Sequence, residues 1–245
     1  MTTIDGKTLA ECFALVARSG VELDGLRDAL DNMLVEQLTA SQASLPCVLA
    51  GGAESADRVD DSQWVWTDIA SSLPLKEKGK RKIERYLGYQ ISMTGDGIAI
   101  PGYAEPLLHV FCWGASVNFE NELYIGFPME EDKDYPFQTV GDRLILWGDP
   151  AATAWNECEW VYSLRLMALN SPTDLRTYVV DPALALLRGG EICTVLQDAW
   201  LDKIHMNEGG QSLPVLQDNG LNKIEREPIA SPLIRYPAKS LLVSK

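Results

Sequence analysis

The chain has little of what chemistry usually requires. It holds two histidines, His109 and His205, and five scattered cysteines. No C-x-x-C or H-x-x-x-H pair occurs, so the ligand spacing of a structural zinc site is missing. No G-x-S-x-G elbow occurs either: Gly114-Ala115-Ser116-Val117 lacks the second glycine. Gly95-Asp96-Gly97 lacks the remainder of a dinucleotide-binding loop and fits a turn instead. No apolar run nears the roughly 20 residues that a membrane helix needs. The opening MTTIDGKTLAECF shows no basic stretch ahead of an apolar core, so no secretory signal is read there. These absences lead to the expectation of a cytoplasmic protein with reduced thiols, no cofactor, no metal and no membrane partner.

What is present is a folded, acidic chain. Apolar residues make up 46 % and charged residues 23 %, a globular rather than a disordered profile. A chain of 245 residues buries enough surface to need no disulfide or metal staple. Asp and Glu number 35 against 21 Lys and Arg, a formal charge of −14 that repels nucleic-acid phosphates and favours basic partners. The charge is uneven. Residues 76–85 carry six basic and two acidic side chains, so this +4 run leaves −18 on the remainder. The run reads as a solvated turn leading into a strand, with partners among the chain's own carboxylates.

Periodicity changes along the chain. Leu9, Cys12, Phe13 and Val16 form one helical stripe, and Leu23, Leu26, Leu30, Met33 and Leu34 form another. Ser19 and Glu22 match a capping box between them, which predicts two helices in an antiparallel hairpin, both stripes packed as core. Residues 41–62 read as a connection. From Tyr89 the period becomes two, and Asp96-Gly97 predicts a hairpin into residues 98–100. Further strands are expected at 107–113, 122–127, 143–147 and 160–169. Asp181-Pro182 predicts a helix start, Gly189-Gly190 its stop, and a second helix is expected from Glu191 to about His205. Prolines 228, 232 and 237 predict an extended tail. The expected fold is α+β: residues 1–62 a helical pair and linker, residues 63–245 a body with a mainly antiparallel sheet and C-terminal helices packed on it.

Each reactive possibility has a plainer structural reading. His109 lies inside the apolar run 107–113, where a hydrogen-bonded strand histidine outweighs a general base beside Cys112. His205 suits a helix C-terminus. Glu130, Glu131, Asp132 and Asp134 could offer oxygen to calcium, but they lack EF-hand spacing and read as a solvated turn. Glu131-Asp132-Lys133 matches the end of a nuclease motif, yet it lies in an acidic loop between Pro128 and Pro136. Trp64 and Trp66 share one face of an extended segment. The segment Trp155-Asn156-Glu157-Cys158-Glu159-Trp160 mixes aromatic and acidic groups as a patch for a basic partner should.

In overall character, carried by that segment and the Glu130, Glu131, Asp132 and Asp134 run, the chain resembles the immunity proteins of bacterial toxin systems, including those paired with type VI secretion effectors. The resemblance implies an acidic cytoplasmic α+β protein, not an enzyme, that binds a basic toxin and occludes its active cleft. Glu130, Glu131, Asp132, Asp134, Trp155, Glu157, Glu159 and Trp160 are the partner-binding candidates, chosen for their own acidic and aromatic character and not carried over from that family. Two other readings stay open: an adaptor or chaperone for a secreted or phage protein, and an enzyme with a site assembled from scattered carboxylates.

Overall fold

In the computed structural model, residues 5–99, 105–127, 129, 136–140, 144–148, 155–189, 195–196, 204–206 and 212–214 are described, the last six for their backbone alone. The fold is α+β. One long helix, α1 (Gly6–Ala40), precedes eight strands of one sheet: β1 (Cys47–Leu49), β2 (Glu54–Val59), β3 (Trp66–Glu77), β4 (Arg85–Ser92), β5 (Leu107–Trp113), β6 (Gln138–Val140), β7 (Leu144–Trp147) and β8 (Glu159–Arg165). Short helices α2 (Pro172–Leu175) and α3 (Asp181–Leu187) follow, joined by a π turn over Arg176–Val180. A separate antiparallel ribbon pairs β9 (Ile204–Met206) with β10 (Ser212–Pro214).

The sheet runs β1-β3-β4-β5-β8-β7-β6, antiparallel at every pairing, with β2 sharing one edge of β3 with β1. The shared edge follows from Pro74. It has no N–H to donate, so it interrupts a ladder. β2 pairs with residues 66–72 and β1 with 75–77, and Pro74 lies in the gap, its carbonyl accepting Ala50 N–H at 2.8 Å. Residues 41–62 therefore hold two strands as well as a connection.

Strand alternation sorts the core into two layers. On one face Leu73, Leu87, Tyr89, Val110, Tyr162 and their neighbours pack under the second half of α1 (Leu30, Leu34, Leu38) and under α2–α3 (Leu175, Val179, Leu184). On the other face Phe111, Trp113, Ile145 and Val161 pack under loops contributing Val117, Ile125 and Phe127.

A tyrosine pins each helical layer to the sheet. Tyr89 on β4 reaches the Arg27 carbonyl at 3.1 Å and Asp31 Oδ1 at 3.0 Å, both on α1. Tyr162 on β8 donates to the Val179 carbonyl at 3.0 Å, with the Tyr178 carbonyl at 3.4 Å. Pro182 cannot donate back along the helix, and the π turn absorbs the mismatch. The helical stretch starts at Ser171, whose hydroxyl accepts Asp174 N–H at 3.2 Å, so Asp181 continues a helix that it was expected to cap.

Four further sequence expectations are corrected. The N-terminal hairpin is one continuous helix. Its two stripes are in phase, Val16 to Leu23 being one heptad, and Gly20 costs only about 1 kcal/mol in a helix interior, too little to break it. Asp96-Gly97 does not turn a hairpin. β4 ends at Ser92, pairs next with β5, and a 3-10 turn spans Gly95–Gly97. A two-residue type I′ turn would need positive φ at Asp96 and Gly97, and the positive φ is at Gly95. Gly97 is needed for close approach: a Cβ there would lie 2.0 Å from Asp68 Oδ1. Residues 122–127 form no ladder strand. Glu122 is left-handed (φ 56°), and a single bridge joins Asn118 to Leu123. Finally, His205 stands opposite Leu213 in a strand, not at a helix end, and Gly209-Gly210 falls between the paired strands. Most of the expected helix 191–205 and the tail prolines lie outside the described residues.

Candidate protein-binding surface

The α1 stripe continues past the core. A helix of 35 residues is about 50 Å long. Its second half docks on the sheet through Leu30, Leu34 and Leu38. Along its first half Leu9, Phe13 and Val16 remain exposed, Phe13 at 55 %, and among the described residues only the β2–β3 turn approaches the stripe. The sequence reading placed this half in the core because stripe and phase are the same on both halves. The one distinguishing signal is that Leu15 and Val21 are apolar off the stripe, and both are exposed.

The β2–β3 turn brings two tryptophans beside this stripe. Asp60 builds the turn: its Oδ1 accepts Trp64 N–H at 2.9 Å and Val65 N–H at 3.1 Å, and Ser62 Oγ donates to Oδ2. The Ser62 hydroxyl, then the Val65 and Trp64 amides, hold the Asp60 carboxyl below its ordinary range. Gln63 takes a positive φ of 63° to close the turn. Trp64 is thereby fixed at its base while its ring stays 73 % exposed, in edge contact with Phe13 at 6.2 Å between centroids. Trp66 lies along the helix, its ring 3.6 Å from where a Cβ on Gly20 would stand. Leu9, Phe13, Val16, Trp64 and Trp66 thus form an aromatic and aliphatic surface, with Asp60 and Asp61 in the adjoining turn. Clustered exposed apolar side chains with a polar rim mark interaction sites, and tryptophan is enriched among the residues that dominate binding energy.

The candidates named from sequence fare differently. Glu130, Glu131, Asp132 and Asp134 lie outside the described residues. Trp160 is a core residue, 5 % exposed and stacked on Tyr162 at 6.0 Å, so it cannot act as an exposed anchor. Register explains this: Trp160 faces the α1 side with Tyr162, opposite Cys112. Glu159, one position earlier on β8, is half-buried on the other side, 4.0 Å from Arg85 Nε. Glu157 is exposed. Trp155 is half-buried and lines an open groove of about 530 Å³ with Pro46, Glu77, Asn156 and Arg188. One carboxylate and one guanidinium give that groove no net sign. The basic run 76–85 forms the β3–β4 turn, where Lys80 pairs with Glu77 and Lys82 with Glu84 at 3.8 Å.

The buried polar groups form a second constellation, under the loops. Gln90 Nε2 donates to Asp68 Oδ1 (3.1 Å), Ser92 Oγ (2.9 Å) and the Ile125 carbonyl (2.8 Å), while Gln90 Oε1 accepts Ile125 N–H (2.8 Å). Ser92 donates to Asp68 Oδ1 at 2.7 Å, and burial raises the Asp68 carboxyl above its ordinary range. Arg58 pairs with Asp96 at 2.8 Å and lies over the Tyr124 ring at 4.3 Å, clasping the loops from outside. His109 stands opposite Gln90 and Ser163, its Nδ1 2.8 Å from Ser163 Oγ. Its Nε2 completes no hydrogen bond, and burial lowers its pKa to about 3 against a weaker opposing effect of the Gly97 carbonyl. Strand alternation puts Cys112 on the opposite face from His109, so the two cannot work as base and nucleophile. Burial also pushes the Cys47 thiol up to about 11, far from a reactive thiolate. Asp68, Gln90, Ser92 and His109 are each 0 % exposed. Among the described residues no group of three or more His, Cys, Asp and Glu could hold a metal ion, and no helix is long and apolar enough to cross a membrane.

The buried imidazole has a pH consequence. The unfolded chain protonates His109 near 6.5 and the folded one near 3, so below about 6.5 the unfolded state binds the extra proton. Stability contributed by the neutral ring is complete above that pH and is lost as pH falls. Asp68 acts oppositely, because its raised folded pKa lets the native state take a proton first. Between pH 6 and 4 the unfolding free energy of the parent should fall more steeply than that of His109→Asn, by about 1.4 kcal/mol per pH unit. Urea titrations at three pH values check this; parallel slopes would refute it.

No protein-family model, curated protein or solved structure matches this chain.

Proposed function

We propose that this protein works by binding another protein through the α1–Trp64 surface, and that the partner is basic around an apolar centre. The observation that supports the reading is the apolar stripe of α1. It leaves the core, meets Phe13 and Trp64, and stays in solvent beside an acidic turn. The net charge of −14 favours a basic partner and speeds encounter with it. Placed beside the resemblance to immunity proteins, the reading is of an inhibitor that covers a basic toxin.

The test has two parts. Tagged parent and a Phe13→Asp, Trp64→Ala double variant are used as bait in the source cell. The parent should retain a basic protein whose association slows as salt rises, because charge steering is screened over roughly 8 Å at physiological ionic strength. The variant should lose it. Expressed alone, that partner should arrest growth, and co-expression of the parent, not of the variant, should restore it. Capture that is equal for both baits, or a partner harmless on its own, would count against the surface or the toxin reading respectively.

A further inference from the structure

We infer that residues 228–245 of this same chain occupy the α1–Trp64 surface when no partner is bound. The inference rests on the reading of that surface as a binding face, and it adds a competitor to it.

Three observations converge. The first is charge. From Pro228 onward the chain has three basic residues, Arg235, Lys239 and Lys245, and no acidic one; residues 1–227 therefore carry −17. An acidic body with an exposed apolar ledge and a basic apolar segment are complementary in sign. The second is apolar content. Leu233, Ile234, Tyr236, Leu241, Leu242 and Val243 are concentrated in that segment, and the exposed Leu9, Phe13, Val16, Trp64 and Trp66 offer a place for such side chains. The prolines at 228, 232 and 237 each fix one backbone φ, which lowers the entropy lost on docking. The third is reach. Thirty-one residues follow Pro214, a span of up to about 100 Å when extended, twice the length of α1. Tethering also replaces a bimolecular encounter with an effective concentration on the order of millimolar, so modest contacts suffice. The segment has the chemistry expected of the partner, basic and apolar together, and a partner must displace it.

Cys12 supplies the probe. It lies on the stripe and is exposed, whereas Cys47 and Cys112 are buried. The rate of N-ethylmaleimide addition at Cys12, read by mass spectrometry of its peptide, is compared for the parent, Leu241→Asp/Leu242→Asp, and Arg235→Glu/Lys239→Glu. Docking of the segment predicts that Cys12 in the parent reacts about tenfold more slowly than in either variant, as 1.4 kcal/mol of docking requires. Protection should weaken in high salt and should not depend on protein concentration. A synthetic peptide of residues 228–245 should restore it to the Leu241→Asp/Leu242→Asp protein. Equal rates in all three proteins would overturn the inference. So would protection that grows with protein concentration, which assigns the surface to a second copy. The readout needs no partner, so its failure leaves the proposed function standing, whereas partner capture indifferent to Phe13 and Trp64 overturns that function alone.

Discussion

Leu30→Asp is expected to unfold the protein at room temperature, and Phe13→Asp is expected to leave it folded. The two residues lie on the same helical stripe, 17 positions apart, yet one is 0 % exposed and the other 55 %. At Leu30 the substitution removes a packed side chain, which costs about 2–5 kcal/mol, and buries a carboxylate in the apolar layer between α1 and the sheet. Together these consume most of the 5–15 kcal/mol that holds a typical native state. At Phe13 the new charge meets water, and the melting temperature should stay within about 2 °C of the parent. Circular dichroism melts of both variants decide the matter. If Phe13→Asp also unfolds the chain, the first half of α1 is covered, and the binding surface falls with it.

This contrast also marks how far the sequence could be read. The class was legible because period 3.6 gives way to period 2 near residue 85, and β5 was legible to the residue at 107–113. β5 is apolar at every position except His109, so pattern and burial agree there. β2 and β3 were not legible. β3 carries Asp68, Ser71 and Ser72 at fully buried positions, and Ser-Ser-Leu-Pro reads as a connection. Donors from β4, the cross-strand partner Ser92 and its neighbour Gln90, make a buried Asp68 tolerable, and they are 24 and 22 residues distant. The site was half legible. Trp64 and Trp66 stand out as a face in the sequence, but Trp160 stays a binding candidate there because a tryptophan beside acidic residues looks the same at a strand's first inward position as on a surface. Apart from Leu15 and Val21, apolar off the stripe, nothing local separates the docked half of α1 from the exposed half, since burial there depends on where the sheet ends.

Gln90→Leu is the change expected to act most strongly on the opposite face. Gln90 does for the 117–127 loop what a neighbouring strand would do. Its amide exchanges both hydrogen bonds with Ile125, at 2.8 Å each way, as two residues of an antiparallel pair would. Leucine fills a similar volume but leaves the Ile125 N–H and C=O unpartnered in a dry layer, and takes a donor from Asp68 and Ser92. Each orphaned buried group costs about 1–3 kcal/mol, so the two on Ile125 cost about 2–6 kcal/mol. Arg58 and Asp96 remain to hold the loop rim, but a cation over Tyr124 contributes only about 0.5–2 kcal/mol. The loop should therefore open before the rest unfolds. Hydrogen exchange is expected to quicken at Val117, Leu123 and Ile125 while Leu34, Leu87 and Val110 keep most of their protection. The Phe13–Trp64 surface lies on other elements, so Cys12 reactivity should stay at the parent value. A Gln90→Leu protein within about 1 kcal/mol of the parent would show that packing of Ile125 and Phe127 alone secures the loop.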